Sequence, residues 1–307
     1  MRSIPRNIGE INRLAAHDPA ALIAESEQKY HAQVEAFAER ILGANENHEI
    51  IMLSGPSGSG KTTTAHKIRK ALEARGIGSL VISLDNFYLG GGKAPVLPDG
   101  SYDYESVYAL NIPLMTKCLR ELVETGESNL PVFNFQKSAP AEELEHVEIG
   151  PGEVVIVEGI HAMNPIITGQ LPQDKLVKLY VSVRTKLMAG DKKAISRRAV
   201  RLVRRMIRDD IFRSSSPQNT LSMWTKVLRG EELYLFPNED NADVYIDTLH
   251  DYEPGILKGR ILPLLDTIPK DVPNYDMIER LYGYLGNFEP IPMELLPPDS
   301  MLHEFVG

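Results

Sequence analysis

The residues best suited to chemistry form one run, Gly55-Pro56-Ser57-Gly58-Ser59-Gly60-Lys61-Thr62. The run fits the spacing G-x-x-x-x-G-K-[ST]. In such a loop the glycines let the backbone turn so that successive N–H groups point inward at phosphate oxygens. A helix directly after it adds the partial positive charge of its N-terminus. Lys61 then reaches the β- and γ-phosphates of a nucleoside triphosphate, and the Thr62 hydroxyl joins the shell of a Mg²⁺ ion. Gly55, Ser57, Gly58, Ser59, Gly60, Lys61, Thr62 and Thr63 are the expected donor-binding residues. The loop alone does not say what is phosphorylated, or whether anything is.

Two acids come next, at strand ends. Asp85, in Ser83-Leu84-Asp85-Asn86-Phe87-Tyr88, stands where ligands of open α/β sheets bind. A carboxylate there accepts the proton of a hydroxyl that attacks the γ-phosphate; its other reading is a turn cap. Glu158 directly succeeds the apolar run Val154-Val155-Ile156-Val157 and is expected, with Thr62, in the magnesium shell. Its other reading is a solvated acid. His161 reads first as a packed structural histidine.

Arginines then concentrate between Ser196 and Arg213, in the sequence SRRAVRLVRRMIRDDIFR. Arg201, Arg204, Arg205 and Arg208 recur at spacings of three and four and share one helical face. That face suits a triphosphate and the charge that builds up during transfer. It also suits a solvated helix paired with Asp209 and Asp210.

The elements that must hold these residues alternate. Short apolar runs at 49–54, 80–84, 154–157, 176–183 and 243–246 read as buried strands, with helical patterns between most of them. Alternation of this kind implies a mostly parallel sheet covered by helices on both faces. The expected fold is therefore α/β, a P-loop NTPase with an arginine-rich helical lid at about 190–235. Asp18 and Pro19 mark the start of a helix running to about Leu42, within an N-terminal extension, 1–48. The main domain spans 49–286. The segment 287–307, with Pro290, Pro292, Pro297 and Pro298, reads as irregular chain on the surface.

Composition narrows the function. A net charge of -9 disfavours a general nucleic-acid binder, whose footprint is basic. The single cysteine, Cys118, excludes an intrachain disulfide and reads as a core residue. No segment approaches a membrane span or a signal peptide, so a cytoplasmic protein with no membrane partner is expected. A homo-oligomer remains open.

The ordered motifs GPSGSGKTT, SLDNFY, YDYESVYAL, PVFNF, VVIVEGIHA, RLVRRMIRD and ADVYID resemble the uridine kinase and phosphoribulokinase family of P-loop kinases. The likeness covers roughly residues 50–247. It implies ATP as phosphate donor, Mg²⁺ as cofactor and a small hydroxylated molecule as acceptor. It also implies that Asp85 is the general base near Mg²⁺, that Tyr88 lies beside the acceptor and that Asp103 holds sugar hydroxyls. Phe133 and Phe135 would line a base pocket, and Arg205, Arg208 and Arg213 would be lid arginines. The sequence departs from uridine kinases at Phe133, where they usually carry Tyr, at Ser138, where they carry His, and at Ser215, where they carry a further Arg. The stretches NFQK, EGIHAMNP and LSMW are similar to a bacterial uridine-kinase-like branch, many members of which carry a synthetase-like segment ahead of the kinase. Only a short helical extension is expected here.

The implied activity is phosphorylation of a nucleoside hydroxyl, with the 5′-hydroxyl of uridine or cytidine first. Another hydroxylated metabolite is the alternative, and a non-catalytic nucleotide-gated interaction protein is the second.

Overall fold

The computed structural model describes residues 5–43, 50–134 and 137–307. Its centre is a five-stranded parallel sheet in the order Val244–Asp247, Leu176–Ser182, Ile50–Ser54, Val154–Glu158, Ser79–Ser83. The strand leading into the phosphate loop is the middle one, and all five residues of it are buried. Its neighbours on the two sides arise from later parts of the chain, so the strand order reverses direction there. Ligands of open α/β sheets bind outside the carboxyl ends of the strands at such a point. Register brings the ends together: Leu53 pairs with Glu158, and Ser83 pairs with Glu158 from the other side.

Helices cover both faces of the sheet, as near-continuous apolar strands require. One core joins the N-terminal helices, the phosphate-loop helix Lys61–Glu73, the arginine helix Arg197–Arg213 and the C-terminal helices. The other lies under the helix Ile112–Thr125 and includes Cys118, which is buried and unpaired.

The expected strands agree with those observed to within a residue or two. Leu84 leaves its strand for the 3-10 turn Leu84–Phe87, because the Ser83 hydroxyl accepts from the Asp85 N–H and turns the chain. The extension holds two helices, Ile8–His17 and Pro19–Gly43, where one was expected. Asp18 caps the second through the Ala21 N–H at 3.1 Å. That helix lies on the loop helix: the Tyr30 and Thr64 hydroxyls hydrogen-bond at 2.9 Å. Its Glu27 accepts from the Tyr252 hydroxyl at 2.6 Å.

Two expectations need correction. The segment 287–307 is not simply irregular surface chain. Met301, Leu302 and Phe305 are fully buried, because three large apolar side chains within five residues find a place in the core beside the loop helix. Nor does the alternative of a solvated arginine helix hold. Arg201 and Arg204 are 3% and 0% exposed. Arg201 forms a fork with Glu231 (2.6 and 2.8 Å), and Arg204 a fork with Glu253 (2.5 and 2.7 Å). Those two arginines anchor the helix and do not face a ligand.

Breaking one buried fork leaves a charge without a partner, which typically costs about 3–5 kcal/mol. Glu253→Ala is expected to destabilise the fold by about that amount, read as a lower urea midpoint. A midpoint within experimental error of the parent would remove the fork from the stability of the helix.

Candidate active site

The loop is built as its sequence requires. Gly58 and Gly60 have φ of 72° and 85°, the left-handed region that glycine enters without strain. The Thr64 N–H bonds Gly60 O at 3.0 Å and begins the helix. The Ser59 N–H donates to Pro56 O at 3.2 Å, and the Lys61 ammonium donates to the same carbonyl at 3.2 Å. Two loop N–H groups are given to carboxylates. Ser57 N–H donates to Glu231 Oε1 at 2.9 Å, and Thr63 N–H donates to Glu304 Oε2 at 3.1 Å.

A cavity of about 510 Å³ opens from the loop. At one end are Ser57, Gly58, Lys61, Thr62 and Glu158; Asp85 stands between the two ends, its charge felt by Lys61 on one side and by Tyr88 and Glu105 on the other. The other end is lined by Tyr88, Tyr104, Glu105, Phe133, Ser138 and Met223. Arg205, Arg208 and Arg213 also line it. The structure thus gathers Lys61, Thr62, Asp85, Glu158 and three arginines around one space. Gly55, Ser59, Gly60 and Thr63 support the loop from outside that lining.

The electrostatics derive from burial. Desolvation pulls the Lys61 ammonium below its ordinary pKa, and Glu158, Glu304 and Asp85 partly hold it up. Desolvation pushes the Glu158 carboxyl upward, opposed by Lys61 and by the Ser83 hydroxyl, which donates to it at 2.8 Å. Both groups move toward neutrality, so their mutual attraction does not offset the loss of water. Arg205 donates to the Ser57 hydroxyl at 2.7 Å and to Asp209 at 3.2 Å; Arg208 also donates to Asp209, at 3.0 Å. Asp209 aims both guanidinium groups.

The expected magnesium ligands fit a hard divalent cation. Thr62, Glu158 and Asp85 offer only oxygen atoms and share one cavity, the donor set that Mg²⁺ takes.

Asp103 does not line the cavity. It is 5% exposed, accepts from the Tyr234 hydroxyl at 2.8 Å and lies 3.8 Å from Arg229. Its carboxylate already has partners within the fold. Glu105, two residues on, is the acid that reaches the cavity. Nothing in the spacing of Tyr102-Asp103-Tyr104-Glu105 separates the two acids; the turn after Asp103 does. Tyr88 donates to Tyr104 O at 3.2 Å, and its ring centre is 6.0 Å from that of Phe133. Phe135 lies outside the described residues. His161 is buried edge-on to Tyr234 at 6.1 Å, and burial pushes its pKa down to about 4, so it is neutral near pH 7. It does not line the cavity. Sequence reasoning also missed Glu231 and Glu304, which lie 174 and 241 residues from the N–H groups they accept from.

The chain matches the Phosphoribulokinase / Uridine kinase family over residues 50–253 and belongs to that family. Its members are phosphotransferases that act on a hydroxyl group and use a nucleotide phosphate donor. The uridine kinase of Saccharomyces cerevisiae is 29% identical over 205 residues, 66% of this chain and 37% of that protein. The uridine kinase of Lactobacillus johnsonii is 25% identical over 71% of this chain and 96% of its own length. A solved structure of a possible uridine kinase from Bacillus stearothermophilus aligns with 70% of this chain and 98% of its own, at 18% identity and a TM-score of 0.49. Among the described residues no helix is long and apolar enough to cross a membrane.

Burial pushes the Glu105 carboxyl up to about 7 from 4.5, with Glu231, Asp103 and Asp85 adding to the rise and Arg205 opposing it. Between those two values the folded state holds a proton that the unfolded state has released, so stability falls as pH rises through the window. Glu105→Gln has no such titration. Relative to the parent, it is expected to be more stable at pH 8 than at pH 4.5, measured by urea unfolding at both. An equal difference at the two pH values would show that Glu105 is not held neutral by the fold.

Proposed function

We propose that this chain transfers the γ-phosphoryl group of ATP to a hydroxyl of a nucleoside, with the 5′-hydroxyl of uridine or cytidine first. One observation carries the reading. Asp85 shares a single cavity with Lys61, Thr62 and Glu158 at one end and with Tyr88 and Phe133 at the other. A carboxylate between a phosphate-binding loop and an aromatic recess is where an acceptor hydroxyl needs a base.

In this reading the loop N–H groups and Lys61 hold the triphosphate. Thr62, Glu158 and Asp85 would hold Mg²⁺, which neutralises charge on the β- and γ-oxygens when bound. Asp85 orients the acceptor and takes its proton. Arg205, Arg208 and Arg213 stabilise charge on the transferring group, and the two that Asp209 aims are already in place. Tyr88 and Phe133 offer flat surfaces to a base, and Glu105 an oxygen acceptor to sugar hydroxyls. The uridine kinases among the relatives support a nucleoside acceptor. A cytoplasmic location would supply ATP.

A second reading is a kinase of another hydroxylated metabolite. Two features at the far end favour it: Ser138 stands where a base-reading histidine is expected, and Glu105 adds a carboxyl suited to hydroxyl groups.

Asp85→Asn is expected to lower turnover by about 10² to 10⁴-fold, the usual contribution of a general base, while direct ATP binding stays near that of the parent. Near-normal turnover would remove Asp85 from the base role. Acceptor-dependent ADP release across nucleosides, sugars and polyols decides between the two readings. No release with any acceptor would return the non-catalytic alternative.

A further inference from the structure

The phosphate loop meets a second part of the chain that its motif does not predict. Thr63 lies in the first turn of the helix after the loop, where N–H groups point at bound anions. Its N–H donates to the Glu304 carboxylate at 3.1 Å. Glu304 also lines the cavity that Lys61, Thr62 and Glu158 line. Its negative charge reaches both titrating groups there, supporting the Lys61 ammonium and adding to the rise of the Glu158 carboxyl.

Glu304 is held there by the residues around it. The Lys67 ammonium donates to Asp299 O at 2.6 Å, and the Tyr252 and Ser300 hydroxyls bond at 2.9 Å. The Met301 sulfur lies so close to Gly60 that a Cβ on that glycine would sit 2.6 Å from it. The Arg204 guanidinium stands 5.1 Å from the centre of the buried Phe305 ring. The same guanidinium donates to Gly58 O at 3.1 Å, so one side chain ties the loop to this segment.

A carboxylate at a helix N-terminus is an ordinary cap when the helix ends in solvent. This helix ends at a phosphate site. We propose that residues 299–307 form a strap whose Glu304 carboxylate stands in for a donor phosphate and competes with the nucleotide for the loop. The chemistry is that of one anion replacing another: Thr63 N–H cannot serve both, and a second negative charge beside Lys61 repels the triphosphate. The apparent donor affinity is the intrinsic affinity reduced by the fraction of molecules whose Glu304 carboxylate has turned away from Thr63, while Met301, Leu302 and Phe305 stay in the core. The proposal rests on the loop binding a nucleoside triphosphate.

The test measures ATP binding by calorimetry without acceptor, so catalysis does not enter. Glu304 is only half buried, so Glu304→Gln and Glu304→Ala, which lose at most a helix cap, should still fold. Both are expected to tighten ATP binding about tenfold, as for a carboxylate engaged in nine molecules of ten. Glu294→Gln, an exposed acid just ahead of the strap, should change nothing. Unchanged or weaker binding in the Glu304 variants overturns the strap. Lys61→Ala tests the loop separately: parent-like ATP binding there would sink the donor-site reading itself.

Discussion

A loop that turns its N–H groups inward turns its carbonyls outward, and buried carbonyls must find donors. Much of this structure answers that demand. Arg201 donates to Ser57 O, Arg204 to Gly58 O, the Thr248 hydroxyl to Ser59 O and Lys61 to Pro56 O. These donors come from the arginine helix, from the turn after the last strand of the sheet and from the loop itself. The two arginines carry positive charge into the core, so each needs a buried acid. Glu231 and Glu253 supply them, and with them come the segments on which those acids sit. The loop is thus fixed from behind by a charged layer, and the Arg197–Arg213 helix is seated before any ligand arrives.

That seating divides the arginines by depth. Arg201 and Arg204, a turn nearer the helix start, are consumed by the loop and by their acids. Arg205 and Arg208 reach past the loop into the cavity, held by Asp209. One helical face therefore does two jobs along its length. Preorganised cations are worth more than mobile ones, because no reorganisation is needed when charge develops.

Much of this was legible in the sequence, for reasons that also set its limit. The loop is legible because its chemistry fixes both residue types and spacing. Asp85 and Glu158 are legible because an apolar strand must end, and the residues just past its carboxyl end lie at the ligand side. The arginine face is legible from helical periodicity. Periodicity gives a face but not the groups that the face meets. The partners Glu231 and Glu253 are 30 and 49 residues from their arginines, and Glu304 is 241 residues from Thr63. Only tertiary packing brings them together. Asp103 and Glu105 show the same limit at short range. Both are acids in one polar stretch, and the direction of a single turn decides that one bonds Tyr234 while the other faces the cavity.

The charges along the cavity bear on the proposed acceptor. Its lining carries four acids, Asp85, Glu105, Glu158 and Glu304, and four cations, Lys61, Arg205, Arg208 and Arg213. In the proposed mechanism a bound triphosphate draws on the cations, since its oxygens offer them stronger partners than solvent does. Asp85 then faces the acceptor with little positive charge left to offset it, and Glu105, protonated up to about pH 7, can donate as well as accept a hydrogen bond. An acceptor that brought its own phosphate would meet like charge in a half-buried space, which disfavours it against an uncharged molecule. A neutral, hydroxyl-rich acceptor gives Asp85 a hydroxyl to accept from and Glu105 a partner in either direction. The electrostatics of the whole cavity thus support a nucleoside or polyol over a sugar phosphate, even though the family contains both kinds of kinase by name.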